Sequence, residues 1–298
     1  MAIVSLGDYL KSFYEEEKKS LLLNYPGLTL HRLKQDIKLH AFLNGIDSEE
    51  LFDFPYLPFH RSPITQFIQK LNEGVPLEYI TGYAYFYRSH FKVTKNVLIP
   101  RSETEILVEL ATQEIKKNYK NKTARVADIG TGSGIIALTL MMECNSHLKV
   151  VASDISDKAL AIAKENYFNL CYAINPKHKI EFVKSDRLQS IEGSFDLILS
   201  NPPYIKRRRD IEGVHQQVKR FEPHMALFLE DDIYDLWFED FLRSIYRKLN
   251  ANGLCLIEGH ESHLIDLAEK AKDIGFEKVD VVVDYTGRNR FLNLRKTV

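Results

Sequence analysis

The sequence predicts an α/β protein: a mostly parallel sheet with helices on both faces, preceded by a small helical domain and a β-hairpin linker. Three observations carry this reading. From residue 103 onward, helix-like and strand-like segments alternate, the pattern of a parallel sheet built from crossover units. Residues 1 to 80 space their apolar side chains helically and show no strand-like alternation. Between the two regions, Tyr83 to Pro100 is rich in aromatic and β-branched residues, a strand composition. A length of 298 residues accommodates two domains at roughly 150 residues each.

The elements follow in order. Leu6, Leu10, Phe13 and Tyr14 recur at helical spacing, as do Leu30, Leu33, Ile37 and Phe42. Pro26-Gly27, Asn44-Gly45 and the stretch from Pro55 to Pro63 interrupt them, and a short helix from Ile64 to Asn72 stops at Gly74. Four helices are expected. The hairpin of residues 81–100 turns at Arg88-Ser89-His90. Then come helix 103–118, strand 124–129, helix 134–143, strand 148–153, helix 157–172 and strands 179–184 and 195–200. Helix 235–249, strand 253–258, helix 262–273 and strands 278–284 and 290–295 complete a seven-stranded sheet. Only a short turn at Thr286-Gly287 separates the last two strands, so they are antiparallel neighbours at one edge.

Composition excludes several classes. There are 40 basic and 41 acidic residues, a net charge of -1, which rules out a polybasic nucleic-acid coat. Cys144, Cys171 and Cys255 are scattered, with no pair at metal-ligand spacing. They read as buried hydrophobes of a cytoplasmic protein, without disulfides or a zinc site. The N-terminus turns acidic at Glu15 to Glu17, unlike a signal peptide. No apolar run reaches the length of a membrane span.

Ala127-Asp128-Ile129-Gly130-Thr131-Gly132-Ser133-Gly134 is a strand end, a glycine turn and a helix start. Such a turn bares backbone N–H groups at the carboxyl end of a sheet, where cofactors bind. The spacing is G-x-G-x-G, which disfavours a nicotinamide cofactor. Asp154 ends the next strand, placed to accept hydrogen bonds from ribose hydroxyls. Asp186 closes the third, either as acceptor for an adenine amino group or as a turn residue.

Strand 195–200 ends in Asn201-Pro202-Pro203-Tyr204. Two prolines cannot continue a ladder, so the chain forms a rigid corner there. The Asn201 carboxamide oxygen and the Pro202 carbonyl are two acceptors suited to a planar NH₂ group, and Tyr204 offers an aromatic wall. Such a nitrogen is a poor nucleophile, and orientation toward an activated electrophile is the help it needs.

With Gly74 to Gly82, Phe91-Lys92-Val93, Leu98 to Glu105 and Phe221-Glu222-Pro223 added to these two motifs, the chain resembles the S-adenosylmethionine-dependent glutamine-N5 methyltransferases of peptide chain release factors. The resemblance runs over most of the chain, and Ile99-Pro100-Arg101 with Glu103-Thr104-Glu105 is its most specific part. It implies a Rossmann-like class I methyltransferase domain at 101–298, a substrate-docking helical domain at 1–80, and methyl transfer to the glutamine of a Gly-Gly-Gln loop. It implies that Gly130, Thr131, Gly132, Ser133, Gly134, Asp154, Asp186, Arg187 and Asn201 hold S-adenosyl-L-methionine. Asn201, Pro202, Pro203 and Tyr204 would hold the glutamine amide, with Asn201, Pro202 and Tyr204 catalytic. Arg187 departs from the family, which often has an aromatic residue there.

The rival reading is an amino-methyltransferase of DNA or RNA bases. Lys206-Arg207-Arg208-Arg209 beside the corner suits phosphates, an acidic partner, or merely solvent. His260-Glu261-Ser262-His263 lacks the H-E-x-x-H spacing, and no metal is expected. Glu258 faces either the pocket or solvent. Arg288 and Arg290 grip substrate or cover the sheet edge, Glu230-Asp231-Asp232 is a solvated loop, and Arg101, Glu103 and Thr104 cap the following helix and wall the pocket.

Overall fold

The computed structural model describes residues 4–47, 49–56 and 62–297. Part of the Pro55-to-Pro63 punctuation lies outside them. The chain forms two compact units, one of Met1–Tyr83 with Val214–Phe221, the other of Ala84–Gly213 with Glu222–Val298.

The first unit contains α1 (Leu6–Asn24), α2 (Leu30–Leu43), α3 (Pro63–Asn72) and α4 (Leu77–Thr81). Each of the first three begins at a hydroxyl cap: Ser5, Thr29 and Ser62 accept the amides of Asp8, Arg32 and Thr65. Such a cap contributes about 1 kcal/mol. Leu10, Leu33, Ile37, Phe67 and Leu71 are fully buried between the helices, and each such side chain contributes about 1.5–3 kcal/mol. Val214–Phe221 belongs here although it lies far along the chain. Gln217 donates to the Gly74 carbonyl at 2.9 Å and Arg220 to the Glu73 carbonyl at 3.1 Å.

The second unit, from Ala84 on, opens within a ribbon of β1 (Tyr83–Phe86) and β2 (Ser89–Lys92). Its turn is Tyr87-Arg88, one residue earlier than expected. Tyr87 takes a left-handed φ of 58°, and its amide is fastened to Glu105 at 2.6 Å. Then follow α5 (Thr104–Asn118), β3 (Ala124–Ile129), α6 (Ile135–Glu143), β4 (Leu148–Asp154), α7 (Asp157–Leu170), β5 (Lys179–Lys184) and β6 (Phe195–Ser200). Short β7 (Ile205–Lys206), α8 (Gln216–Phe221, part of the first unit), α9 (His224–Leu227) and β8 (Phe228–Leu229) precede α10 (Tyr234–Lys248). The chain ends with β9 (Leu249–Glu258), α11 (Leu264–Ile274), β10 (Lys278–Val283) and β11 (Asn289–Arg295).

The seven strands lie in the order β10-β11-β9-β6-β3-β4-β5. All neighbours are parallel except β11, which runs antiparallel to both β9 and β10. The expected mostly parallel sheet is present. Its central strands are apolar on both faces because both are covered: Val126, Leu197 and Leu199 pack with α5 and α6, Ala127, Ile198 and Ile257 with α10 and α11. Cys144 and Cys255 are buried, but Cys171 is exposed, because it lies just past the end of α7 facing solvent. All three are free. Among the described residues no helix is long and apolar enough to cross a membrane.

The strand order places the site. The chain winds from β3 through β4 to β5, then crosses back to β6 on the other side of β3. A crevice opens at the carboxyl ends where the winding reverses.

Candidate active site

At that crevice Ile129 and Ser200 are cross-strand partners, and Ser200 Oγ donates to the Ile129 carbonyl at 2.7 Å. The glycine turn after β3 and the proline corner after β6 therefore start side by side. They line one cavity of about 300 Å³.

Gly130, Gly132 and Gly134 have φ of 73°, 56° and 84°, a region glycine enters without steric penalty. A side chain added at Gly130 or Gly132 would meet nothing within 4 Å, so bare main chain borders open space. At Gly134 an added Cβ would lie 3.2 Å from Ala163 Cβ and 3.2 Å from Leu138 Cδ1. This glycine lets α6 and α7 approach each other.

Two carboxylates shape the turn. Asp128 is wholly buried and accepts from the Thr131 hydroxyl at 2.6 Å and the Ala137 amide at 3.1 Å. Burial pushes its carboxyl up to about 7. Asp154 accepts from the Gly132 and Ser156 amides, each at 2.9 Å, and burial raises its pKa as well. It still lines the cavity, with lone pairs left for hydroxyl donors. Ser133 is held from behind, its carbonyl accepting from buried Asn166 at 2.8 Å.

Asp186 and Arg187 follow β5 and line the same cavity. Asp186 is part of a turn, its carbonyl accepting the Gln189 amide at 3.1 Å. Arg187, at φ 51°, lies 3.3 Å from Asp186 and spreads its guanidinium 5.3 Å from the Trp237 ring centroid. The planar guanidinium and the ring stand where an aromatic residue was expected.

Asn201, Pro202 and Pro203 line the cavity. Tyr204, expected as a wall, is not among the lining residues. Its ring packs with the cluster on the α10 side of the sheet, and its hydroxyl donates to Glu258 Oε1 at 3.1 Å. Glu258 is neither at the cavity surface nor in solvent: it is 1% exposed and accepts from Thr104 Oγ1 at 2.7 Å. Burial raises its pKa. Thr104 in turn accepts from Asn201 Nδ2 at 3.3 Å. Arg101 and Thr104 do wall the cavity, but neither they nor Glu103 cap α5 through a side chain, because the Thr104 hydroxyl is given to Glu258.

The basic run is largely engaged internally. Strands β7 and β8 pair in parallel, bringing it against the acidic run expected to be solvated. Arg207 lies 2.5 Å from Glu230, and Arg208 lies 3.9 Å from Asp231 and 3.7 Å from Asp232. Arg209 lies 3.8 Å from Asp231. Lys206 is buried over the Tyr234 ring at 4.5 Å. Arg290 pairs with buried Asp284 at 3.2 Å and Arg288 with Glu261 at 3.4 Å.

His260 and His263 meet Asp210, with potential ligand atoms within 4.8 Å of one another. His263 Nε2 lies 2.9 Å from Asp210 Oδ2, which also accepts the Lys206 amide at 2.8 Å. This cluster fastens the segment after the proline corner. Asp210 is 50 residues from His260 in sequence, so no spacing rule reveals the group. Asn166 was equally hidden as a buried partner, and Thr104, read as a wall of the pocket, gave no sign of its bond to Glu258, whereas Asp128, an acid directly before the glycine turn, was a readable signal.

The chain is similar to known methyltransferases in sequence and fold. Residues 103–221 match the Methyltransferase small domain family. The chain is 35% identical over 227 residues to the release factor glutamine methyltransferase of Flavobacterium psychrophilum, covering 76% of this chain and 77% of that one. It is 39% identical over 235 residues to the enzyme of the same name from Streptococcus pneumoniae, covering 75% and 76%. Among solved structures, the hMettl16 catalytic domain in complex with an RNA hairpin is 19% identical with a TM-score of 0.50, covering 82% of this chain and 84% of that one. This last likeness is one of fold.

Proposed function

The chain belongs to the release factor glutamine methyltransferases, and from that premise we propose that its Asn201–Tyr204 corner holds the side-chain amide of the glutamine in a release factor's Gly-Gly-Gln loop. The observation that carries this reading is the shared cavity: Asn201, Pro202 and Pro203 line the same space as Gly130 to Gly134.

The residues around that cavity fit S-adenosyl-L-methionine. Open space beside Gly130 and Gly132 lets a ligand approach the main chain. Asp154 suits ribose hydroxyls, and Asp186, Arg187 and Trp237 suit the edge and face of an adenine. When bound, this cofactor supplies a methyl group already activated by a sulfonium.

The chain's own contribution is orientation. Asn201 Oδ1 and the Pro202 carbonyl accept the two N–H bonds of the glutamine amide. Both N–H bonds lie in the amide plane, so accepting both fixes that plane, raises electron density on the nitrogen and holds the lone pair, which stands perpendicular to it, toward the methyl carbon. Fixing one nitrogen against one carbon converts an encounter into a unimolecular step, where effective molarities of ~10⁵ M and above are available. The two prolines keep the acceptors from rotating away.

A nucleic-acid base as acceptor would use the same corner, and the basic run is the feature that spoke for it. Its ion pairs with Glu230, Asp231 and Asp232 leave it a weaker phosphate site. Methyl transfer from labelled cofactor into purified release factor, compared with RNA and with a release factor whose loop glutamine is replaced by alanine, separates the readings. Label in the intact factor alone supports the proposal. Label in RNA, or in the alanine variant, contradicts it.

A further inference from the structure

A hydroxyl carries one proton, and in this site its direction has a consequence for substrate recognition. Thr104 Oγ1 lies 2.7 Å from Glu258 Oε2 and 3.3 Å from Asn201 Nδ2. Thr104 is fully buried and Glu258 is 1% exposed, so bulk water does not compete for the bond between them. Burial raises the pKa of Glu258, while the bonds from Thr104 and Tyr204 and the charge of Arg290 favour its ionised form; in that form it only accepts, and a bond to it is stronger than one to a neutral amide. The Thr104 proton therefore goes to Glu258. Its lone pairs remain, and they complement only the NH₂ end of the Asn201 carboxamide.

We propose that Thr104 and Glu258 are positioning residues that set which end of Asn201 faces the cavity. With Nδ2 tied to Thr104, Oδ1 is the end left for the incoming NH₂ group. This deepens the functional reading above, since it rests on Asn201 accepting from the substrate amide. The other oxygen of Glu258 accepts from Tyr204 OH at 3.1 Å, so one carboxylate secures both ends of the four-residue corner. That explains why Tyr204 is turned away from the cavity lining. It also gives a reason for a carboxylate in the core, where an unpaired charge is costly.

Glutamine at position 258 reverses the chain of donors. Its oxygen would serve Tyr204, and its NH₂ would donate to Thr104. The Thr104 proton would then point at Asn201 and demand Oδ1, presenting Nδ2 to the cavity. Two NH₂ groups facing each other do not bond.

The test compares T104V, T104S and E258Q in the full-length protein. Steady-state methylation of release factor is measured with calorimetric titration of S-adenosylmethionine, which also reports folding. T104V and E258Q are expected to lower kcat by ~10-fold or more with cofactor Kd changed less than ~3-fold, and T104S to stay within ~3-fold of wild type. The inference is overturned if T104V keeps kcat within ~3-fold, or if T104S falls as far as T104V. Should T104V fail to bind cofactor, E258Q against T104S decides by the same criterion. N201A separates the layers. If N201A stays active, the underlying reading fails; if N201A is inactive while T104V and E258Q are unaffected, only the orienting role fails.

Discussion

Arg101 Nη2 lies 2.6 Å from Glu222 Oε1, and the other oxygen of that buried carboxylate accepts the Ile99 amide at 3.1 Å. The pair clasps the segment before α5 to the segment before α9, and Pro100, Arg101 and Pro223 all line the cavity. Removing Glu222 takes an acceptor from both the Arg101 guanidinium and the Ile99 amide. E222A is expected to destabilise the protein by about 1.5–3 kcal/mol, with E222Q losing less because it still accepts one bond. Denaturant unfolding of both variants checks this, and equal stability of E222A and wild type would refute it.

The glycines of the turn divide the work. G132A places a methyl at φ 56° beside open cavity. G134A places one at φ 84° and 3.2 Å from Ala163. Both incur a left-handed cost of about 1–2 kcal/mol, but only G134A also forces α6 from α7. G134A is expected to lower Tm more, and G132A to weaken cofactor binding more than its Tm loss explains. Thermal melts with calorimetry distinguish them, and a reversed order would count against the assignment.

Asp128 imposes a pH dependence. Its folded pKa is raised to about 7 against an unfolded value of about 3.9. Between these values the folded state holds a proton that the unfolded state has released, so the group lowers stability as pH rises through that window. D128N has no such proton. The Tm of D128N minus that of wild type is expected to grow from about pH 4 to about pH 7 and then level off. A flat or shrinking difference would show that Asp128 ionises normally.

If the basic run is compensated by Glu230 to Asp232, then Arg208 and Arg209 contribute little to turnover. Exposed ion pairs of this kind contribute about 0–1 kcal/mol. R208A and R209A are expected to change kcat/KM for release factor less than ~5-fold, and added RNA to inhibit little. Strong inhibition by RNA, relieved in R208A, would instead mark the run as a phosphate site.

Much of this architecture was readable in the chain. Apolar runs at Leu148 to Ala152 apart from Lys149, and at Leu197 to Leu199, announce strands covered on both faces, and Pro202-Pro203 announces where one must stop. The glycine turn and Asp154 were placed together by order alone, because parallel winding delivers successive strand ends to one edge. The partners of those motifs were hidden. Nothing in Thr104 foretells Glu258, 154 residues away, and a buried acid looks like a surface acid until β9 is set beside β6. The bond from the Tyr204 hydroxyl to Glu258 was hidden for the same reason: an aromatic next to the corner looks like a wall, and nothing in it foretells the buried carboxylate. Val214–Phe221 carries an unremarkable sequence, and main-chain carbonyls at Leu23, Glu73 and Gly74 draw it to the helical unit.

The proposed role of Asn201 is to present a glutamine amide of release factor for methylation. Fragmentation mass spectrometry of release factor, after incubation with S-adenosylmethionine and either wild-type or N201A enzyme, tests it most directly. One added methyl is expected on the side-chain nitrogen of the Gly-Gly-Gln glutamine with wild type and none with N201A, while N201A still binds cofactor. A methyl group on any other residue, or full modification by N201A, would contradict it.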